Sequence, residues 1–166
     1  MGQDWKGQLK ELHEESYSWS LFCCNNDEEM AKDTLQTVYL KVYGGKARFL
    51  QKSTLKSWLF TVIRNTAMDL FRKNGRNHVE LNESHNQIPD DTPRASAETT
   101  VLFMEILNGL SVQQRAVLTL AFYHDLTLDE VAETLGISKG SFRTHYERGK
   151  ENFRKYLAGH KDHELL

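Results

Sequence analysis

Residues 126–150, LTLDEVAETLGISKGSFRTHYERGK, carry the signals of two short helices joined by a tight turn. Thr127 precedes an apolar stripe at helical spacing and Glu130 follows three positions later, the pattern of a capping box that satisfies the free amides of a helix start. Gly136 then supplies a residue that ends a helix without strain in the left-handed conformation. Because Ser138 can begin a second helix, the stretch predicts a helix-turn-helix.

The second predicted helix carries a strong excess of positive charge. Residues 138–155 hold six Lys or Arg residues against two Glu residues. Two amphipathic helices around a glycine turn also occur in ordinary helical bundles, so the turn and the stripe alone do not indicate DNA. The basic bias favours DNA binding, since arginine can pair with guanine through two hydrogen bonds and both basic residue types hold phosphates.

Charge is segregated along the chain, although the 166 residues sum to a net charge of only −2. Acidic residues dominate up to Asp33, eight Lys or Arg residues stand against Asp69 alone between 46 and 76, and residues 80–105 are acidic again. Such alternation indicates two basic surfaces separated by an acidic connector.

Helix-period stripes dominate and no alternating strand pattern persists, so we predict an all-α fold of two small helical domains joined by a flexible linker. The first domain is expected over residues 1–75 and the second, with the helix-turn-helix, over 98–160. Residues 76–97, which include both prolines and lack a helical period, are expected to form the acidic linker. Residues 160–166 are expected to form a frayed tail.

Composition also excludes several classes. No apolar run approaches the ~20 residues that span a bilayer and no signal-peptide core is present, so we expect a cytoplasmic protein without membrane insertion. The adjacent Cys23 and Cys24 suit a reducing compartment, and the scattered histidines lack the spacing of metal ligands. We therefore predict no metal and no cofactor.

Three helices are predicted in the first domain, over about 4–24, over 27–43, and from residue 54 through at least 71. On the second helix, polar residues and Leu40 lie opposite the apolar stripe. On the third, Trp58 and Phe71 are expected in the core, whereas Phe60 is expected to be exposed. Arg64 and Asn65 are expected on the outward face.

Four segments resemble, in the same order, motifs of the bacterial sigma factors of the extracytoplasmic-function group. AKDTLQTVYLKVY (31–43) is similar to the family's AEDLTQEVFLKLW, and LKSWLFTVIRNTAMDLFRK (55–73) to its FRPWLYRIARNLAIDHLRR. LNGLSVQQRAVLTL (107–120) resembles L-LPPRQREVFLL, and residues 126–157 resemble LSYEEIAEVLGISVGTVKSRLSRARKKLR. The likeness spans most of residues 5–157.

The resemblance implies a subunit without catalysis of its own that directs core RNA polymerase to promoters and helps to open the −10 region. The residues that would grip the coiled-coil clamp of polymerase β′ are Asp33, Gln36, Tyr39 and Tyr43. The residues that would hold −10 DNA, with the loop 46–53 around a flipped base, are Lys46, Arg48, Phe49, Phe60, Arg64, Asn65, Arg72 and Lys73. The residues that would bind the −35 element are Lys139, Ser141, Arg143, Thr144, His145, Arg148 and Lys150. The polymerase β flap and an anti-sigma factor are further partners that the resemblance implies.

Some positions depart from the family pattern. His145 stands where an arginine is usual, Tyr146 replaces an aliphatic residue, Gly149 replaces alanine, and Lys32 replaces an acid. These departures bear on promoter preference more than on the family.

Two other functions stay open at this point. The chain could be a simple helix-turn-helix regulator whose first domain senses a ligand or dimerises, although such a domain has no reason to combine a polymerase-type face with a basic aromatic helix. A nuclease or other enzyme would need clustered carboxylates or histidines on one face, and the sequence shows no such cluster.

Overall fold

The computed structural model describes residues 5–75 and 97–164, and every regular element in these ranges is helical. The elements are α1 (Trp5–Gln8), α2 (His13–Cys23), α3 (Glu28–Tyr43), α4 (Leu55–Lys73), α5 (Ala97–Asn108), α6 (Val112–Leu118), a π-helical turn (Thr119–Tyr123), α7 (Leu128–Leu135) and α8 (Lys139–Glu164). The described chain divides into two compact units, one built on residues 5–75 and one on most of 97–164. The predicted all-α class is thus confirmed, whereas the predicted linker lies outside the described residues up to residue 96.

Helices α2, α3 and α4 pack against one another and form the core of the first unit. Asp27 begins α3, because its side chain accepts a hydrogen bond of 3.1 Å from the Met30 amide. Gly45, with a φ of 79°, follows the end of the same helix. Thr54 caps α4 by accepting from the Ser57 amide at 3.2 Å. These caps set the two helices that carry the candidate sites of this unit.

The single helix predicted over residues 4–24 is wrong, because the chain forms α1 and α2 with a turn between them. In that turn the Glu11 amide donates to the Gln8 carbonyl and the Leu12 amide to the Leu9 carbonyl, at 3.1 and 3.2 Å. These i to i+3 bonds still leave Leu9 facing the core, where it is buried. The helical spacing of apolar residues therefore continues across the turn, so the sequence pattern does not reveal that the helix is interrupted there.

In the second unit, α8 packs along α6 and also contacts α5. Leu107, Leu110 and Leu118 are buried at the centre, and Phe153 of α8 packs against them. Gly149 lies where a Cβ atom would stand 3.3 Å from Leu118 Cδ1. The glycine that breaks the family pattern therefore accompanies a close approach of the two helices.

The helix-turn-helix forms as predicted. Thr127 and Glu130 cap each other's amides at 3.2 and 3.3 Å, and Gly136 has a φ of 65° after α7. Ser138 accepts from the Ser141 amide at 3.1 Å and starts α8. The expected frayed tail is wrong for residues 160–164, which belong to α8, and residues 165–166 lie outside the described residues.

Candidate protein and nucleic-acid interfaces

The outward face of α3 carries two large exposed apolar side chains, Leu40 and Tyr43, among exposed polar residues. Leu40 is 69% exposed and Tyr43 is 57% exposed, whereas Ala31 and Val38 on the opposite face are completely buried. Asp33 is also exposed on the outward side of the helix. Leu40 and Tyr43 are three positions apart and therefore neighbours on the helix surface, so they form an apolar patch that a packing partner could cover.

A groove of about 590 Å³ runs between α2 and α3. Its lining residues are His13, Tyr17, Lys32, Leu35, Gln36, Tyr39, Leu40 and Tyr43. Three of the four predicted polymerase contacts thus share one concave surface, and Asp33 is the one that does not line it. The groove offers mainly aliphatic and aromatic surface with a few polar groups, which suits the side chains of a partner helix.

Tyr39 lines this groove and contacts His13 of α2. Its hydroxyl is hydrogen-bonded to His13 Nδ1 at 2.8 Å, and the two rings stack with centroids 6.0 Å apart. Burial, and secondarily the neighbouring Tyr43, raises the pKa of the Tyr39 phenol. The phenol therefore stays protonated at neutral pH and adds no negative charge to the groove.

The second candidate surface combines the loop 46–53 with one side of α4. Lys46 and Arg48 are exposed in the loop, and Asn65 is exposed on α4. Among the other predicted residues of this surface, Arg72 and Lys73 are exposed, whereas Phe49 and Arg64 are half-buried. The charge and exposure of the Lys and Arg side chains suit phosphate binding, and the Asn65 amide carries both a donor and an acceptor.

Phe60 does not belong to this surface, so the prediction that it is exposed is wrong. Its ring is completely buried and stacks on Trp19 of α2 at a centroid distance of 5.7 Å. The Trp19 indole also donates to the Phe60 carbonyl at 3.0 Å. Phe60 is buried because α4 packs against both α2 and α3, which makes its core face wider than one apolar stripe.

The opposite correction applies to Trp58, which was expected in the core and is half-buried. Its ring packs with Phe49 of the basic loop at 5.4 Å and with Trp5 of α1 at 5.6 Å. Phe71 is buried as predicted. Trp5, Phe49 and Trp58 therefore form an aromatic cluster that joins the basic loop to α1 and α4.

The third candidate surface lies on the first turns of α8. Two of the predicted residues, His145 and Lys150, are half-buried. The others are exposed: Lys139, Ser141, Arg143, Thr144 and Arg148. Arg143 follows the buried Phe142 directly and heads outward without an ion pair among the described residues. Such a position near the start of a recognition helix suits contact with a base edge.

Two lysines of this surface have partners within the unit. Lys139 Nζ lies 3.4 Å from a carboxylate oxygen of Asp129. Lys150 Nζ lies 3.4 Å from Glu147 and 4.3 Å from the centroid of the Tyr146 ring. Exposed ion pairs of this kind are worth little, so Lys139 is readily available to a phosphate. Lys150 must leave a cation–π contact as well, which weakens it as a phosphate ligand.

Sequence reasoning left two exposed apolar residues out of the predicted sites. Leu40 lies in the α3 groove, and Leu50 is 67% exposed in the basic loop. For Leu40 a signal existed, because an apolar residue stood on an otherwise polar helix face. For Leu50 no signal existed, because the loop has no regular spacing of apolar residues from which the orientation of a side chain could be predicted.

Within residues 5–75 and 97–164, no helix is long and apolar enough to cross a membrane. Over the same residues, no three His, Cys, Asp or Glu side chains come together as metal ligands could.

Comparisons with known proteins identify both units. The family described as Sigma-70 region 2 matches residues 15–77, and the family described as Sigma-70, region 4 matches residues 100–153. YlaC, an RNA polymerase sigma factor of Bacillus subtilis, is 28% identical over 153 residues, which are 88% of each chain. The ECF RNA polymerase sigma factor SigE of Mycolicibacterium smegmatis is 28% identical over 82% of this chain, which spans 55% of that protein's length.

A solved structure shares the fold. The sigma factor RpoE of Bartonella quintana, crystallised with the anti-sigma factor NepR, superposes with a TM-score of 0.68 and 23% identity. The match covers 95% of this chain and 98% of that chain.

Proposed function

The chain belongs to the extracytoplasmic-function group of the sigma-70 family, and from this premise we propose that it directs bacterial core RNA polymerase to specific promoters and helps to open their −10 region. In this role the chain has no catalysis of its own, since the polymerase makes the RNA. The two family regions divide the work between the first unit, which binds polymerase and −10 DNA, and the second, which binds the −35 element.

The observation that carries the proposal is the exposed apolar patch that Leu40 and Tyr43 form on the otherwise polar outward face of α3. Leu40 and Tyr43 are more than half exposed on a helix whose other face is buried in the first unit. Leaving this surface in water is unfavourable, and a coiled-coil helix of the β′ clamp would cover it by laying its side chains into the groove between α2 and α3. Asp33, which is exposed on the same helix, would pair with a basic residue of the clamp.

Opening of the −10 region needs a base to leave the stack, which costs a few kcal/mol. The basic loop 46–53 and the outward side of α4 supply the compensating contacts in our proposal. Arg48 and Arg72 would hold phosphates of the separated strand, and Asn65 would bond the flipped base. Phe49 supports the loop from beneath, whereas Phe60 has no part in the contact.

Recognition of the −35 element falls to the start of α8. Arg143 is the base-reading residue in our proposal, because it is exposed and forms no ion pair with the described residues. Lys139 and Arg148 would hold phosphates on either side. His145 replaces a usual arginine and lacks the planar guanidinium that binds a phosphate through two hydrogen bonds, so it should hold the DNA backbone less well.

The same α3 face offers a route to regulation. A protein that covered Leu40 and Tyr43 would exclude the polymerase clamp. We therefore extend the proposal to an anti-sigma factor that competes for this groove.

The proposal is tested by binding to core polymerase that lacks a sigma subunit. The wild-type chain should co-elute with the core enzyme in size-exclusion chromatography, and the double variant Asp33→Ala, Gln36→Ala should co-elute less while keeping its helical circular dichroism. Both positions are exposed, so the substitutions should leave stability within about 0.5 kcal/mol of wild type. Failure of the wild-type chain to bind the core enzyme would contradict the proposed function.

A further inference from the structure

The basic loop between α3 and α4 receives almost no support from its own backbone. The Ala47 amide donates to the Lys41 carbonyl at 3.0 Å, but residues 48–52 make no backbone hydrogen bond to a helix of the described first unit. Gln51 has a φ of 59°, in the left-handed region that costs a non-glycine residue free energy. Something other than the backbone must therefore hold the loop in this conformation.

The side chain that holds the loop is Phe49. Its ring lies 5.4 Å from the Trp58 ring of α4 and 5.9 Å from the Trp5 ring of α1. Trp5 and Trp58 are themselves 5.6 Å apart and nearly perpendicular, at 83°. The three rings thus form a closed triangle, in which the favoured edge-to-face geometry occurs at both contacts of Trp5.

Helix α1 is short, but residues in it and directly after it contact the rest of the first unit. Leu9, directly after it, is 2% exposed. Lys6 Nζ lies 5.7 Å from the Trp5 ring and 5.9 Å from the Tyr43 ring at the end of α3. The contacts of Lys6 and Leu9 therefore hold α1, and with it Trp5, against the first unit.

We propose that Trp5 is a positioning residue for the −10 loop: it closes the ring triangle over Phe49 and thereby holds Arg48 and Leu50 in the orientation that receives the opened strand. The proposal rests on the proposed function of the loop and adds to it a residue far away in sequence, outside the matched region 15–77. Trp5 itself touches no DNA in this account, and acts only through Phe49.

The first arm of the test measures the loop directly. In the full chain, limited trypsin digestion should cut after Arg48 and Lys52 at least about fivefold faster in Trp5→Ala than in wild type, since two aromatic contacts of this strength shift a local equilibrium by about that factor or more. Trp5→Phe retains a ring and should restore most of the protection. Gln8→Ala, an exposed change on the same helix, is the matched control and should cut as wild type does.

Cleavage after Lys41, inside α3, separates loop release from general unfolding. If Trp5→Ala speeds cleavage after Lys41 as much as cleavage after Arg48, the residue stabilises the whole unit and the positioning role is wrong. Unchanged cleavage after Arg48 and Lys52 would also overturn it.

The second arm measures function in reconstituted holoenzyme. The probe is a pool of fork-junction DNA with a randomised single-stranded −10 segment. Trp5→Ala holoenzyme should retain at least about fivefold less of this pool and select a less defined −10 sequence, while its affinity for core polymerase stays within about threefold of wild type.

The outcomes distinguish this inference from the proposed function. If wild-type holoenzyme retains no fork-junction DNA, the proposed function itself fails. If wild-type holoenzyme retains and selects the pool and Trp5→Ala does so equally well, the function stands and the positioning role of Trp5 is refuted.

Discussion

Replacement of Leu40 by alanine tests the polymerase-binding face of α3 most sharply, because the chain contains a matched control. Leu40 is 69% exposed in the groove, and Leu50 in the basic loop is 67% exposed. The two residues have the same side chain and nearly the same exposed surface, but only Leu40 belongs to the proposed clamp contact.

The expected magnitude follows from the exposed surface. Complete burial of a leucine side chain contributes about 1.5–3 kcal/mol, so covering the 69% that is exposed contributes about 1–2 kcal/mol. Leu40→Ala should therefore weaken binding to core polymerase by about 5- to 30-fold. Stability of the free chain should change by less than about 0.5 kcal/mol, because little of the side chain contributes to the core.

The assay is a competition titration in which each variant displaces a fluorescent wild-type chain from core polymerase. Leu50→Ala should compete as wild type does, whereas Leu40→Ala should need a correspondingly higher concentration. Equal weakening by both substitutions would show a nonspecific apolar contribution. No weakening by Leu40→Ala would refute the assignment of this face to the polymerase.

Three further predictions concern the core, the thiols and the recognition helix. Phe60→Ala should lower the free energy of unfolding by about 3–5 kcal/mol in urea titration, as expected for a completely buried ring; a loss below about 1 kcal/mol would contradict its burial. Burial raises the pKa of the Cys23 and Cys24 thiols, most strongly for Cys23, so unfolded thiols ionise above about pH 8.5 while folded thiols stay neutral. Stability should therefore fall as the pH rises from about 8.5 toward the raised pKa values, and a variant with both cysteines replaced by alanine should show a shallower fall; equal slopes would contradict this. In holoenzyme titrated with promoter variants, Arg143→Ala should cost about 1–3 kcal/mol and relax preference at one −35 position, whereas Lys150→Ala should weaken all variants slightly and alike; equal losses on every variant for both would make Arg143 a phosphate contact.

The helix-turn-helix could be predicted because its helix ends are determined by residues close to them in sequence. Thr127, Glu130 and Gly136 act within one or two turns of their own helix, so the helix-turn-helix could be predicted with its boundaries. This success reflects the short range of the hydrogen bonds that start and stop a helix.

Features that depend on packing between distant segments could not be predicted in this way. Phe60 is buried by Trp19, which lies 41 positions earlier, and no pattern within α4 reveals that a second helix covers its side. Trp5 likewise meets Phe49 and Trp58 only in the folded unit. The break between α1 and α2 escaped prediction for the related reason that its turn preserves the apolar period.

The most direct measurement of the central claim is transcription in vitro from a library of randomised promoters, with core polymerase and this chain as the sole sigma subunit. Our account predicts transcripts that depend on adding the chain and that arise from templates enriched in a paired −35 and −10 element at one spacing. The isolated chain should bind the same templates weakly and with a steep salt dependence. Tight, sequence-specific binding by the isolated chain, together with no transcription when it is added to core polymerase, would contradict the account and indicate a simple helix-turn-helix regulator.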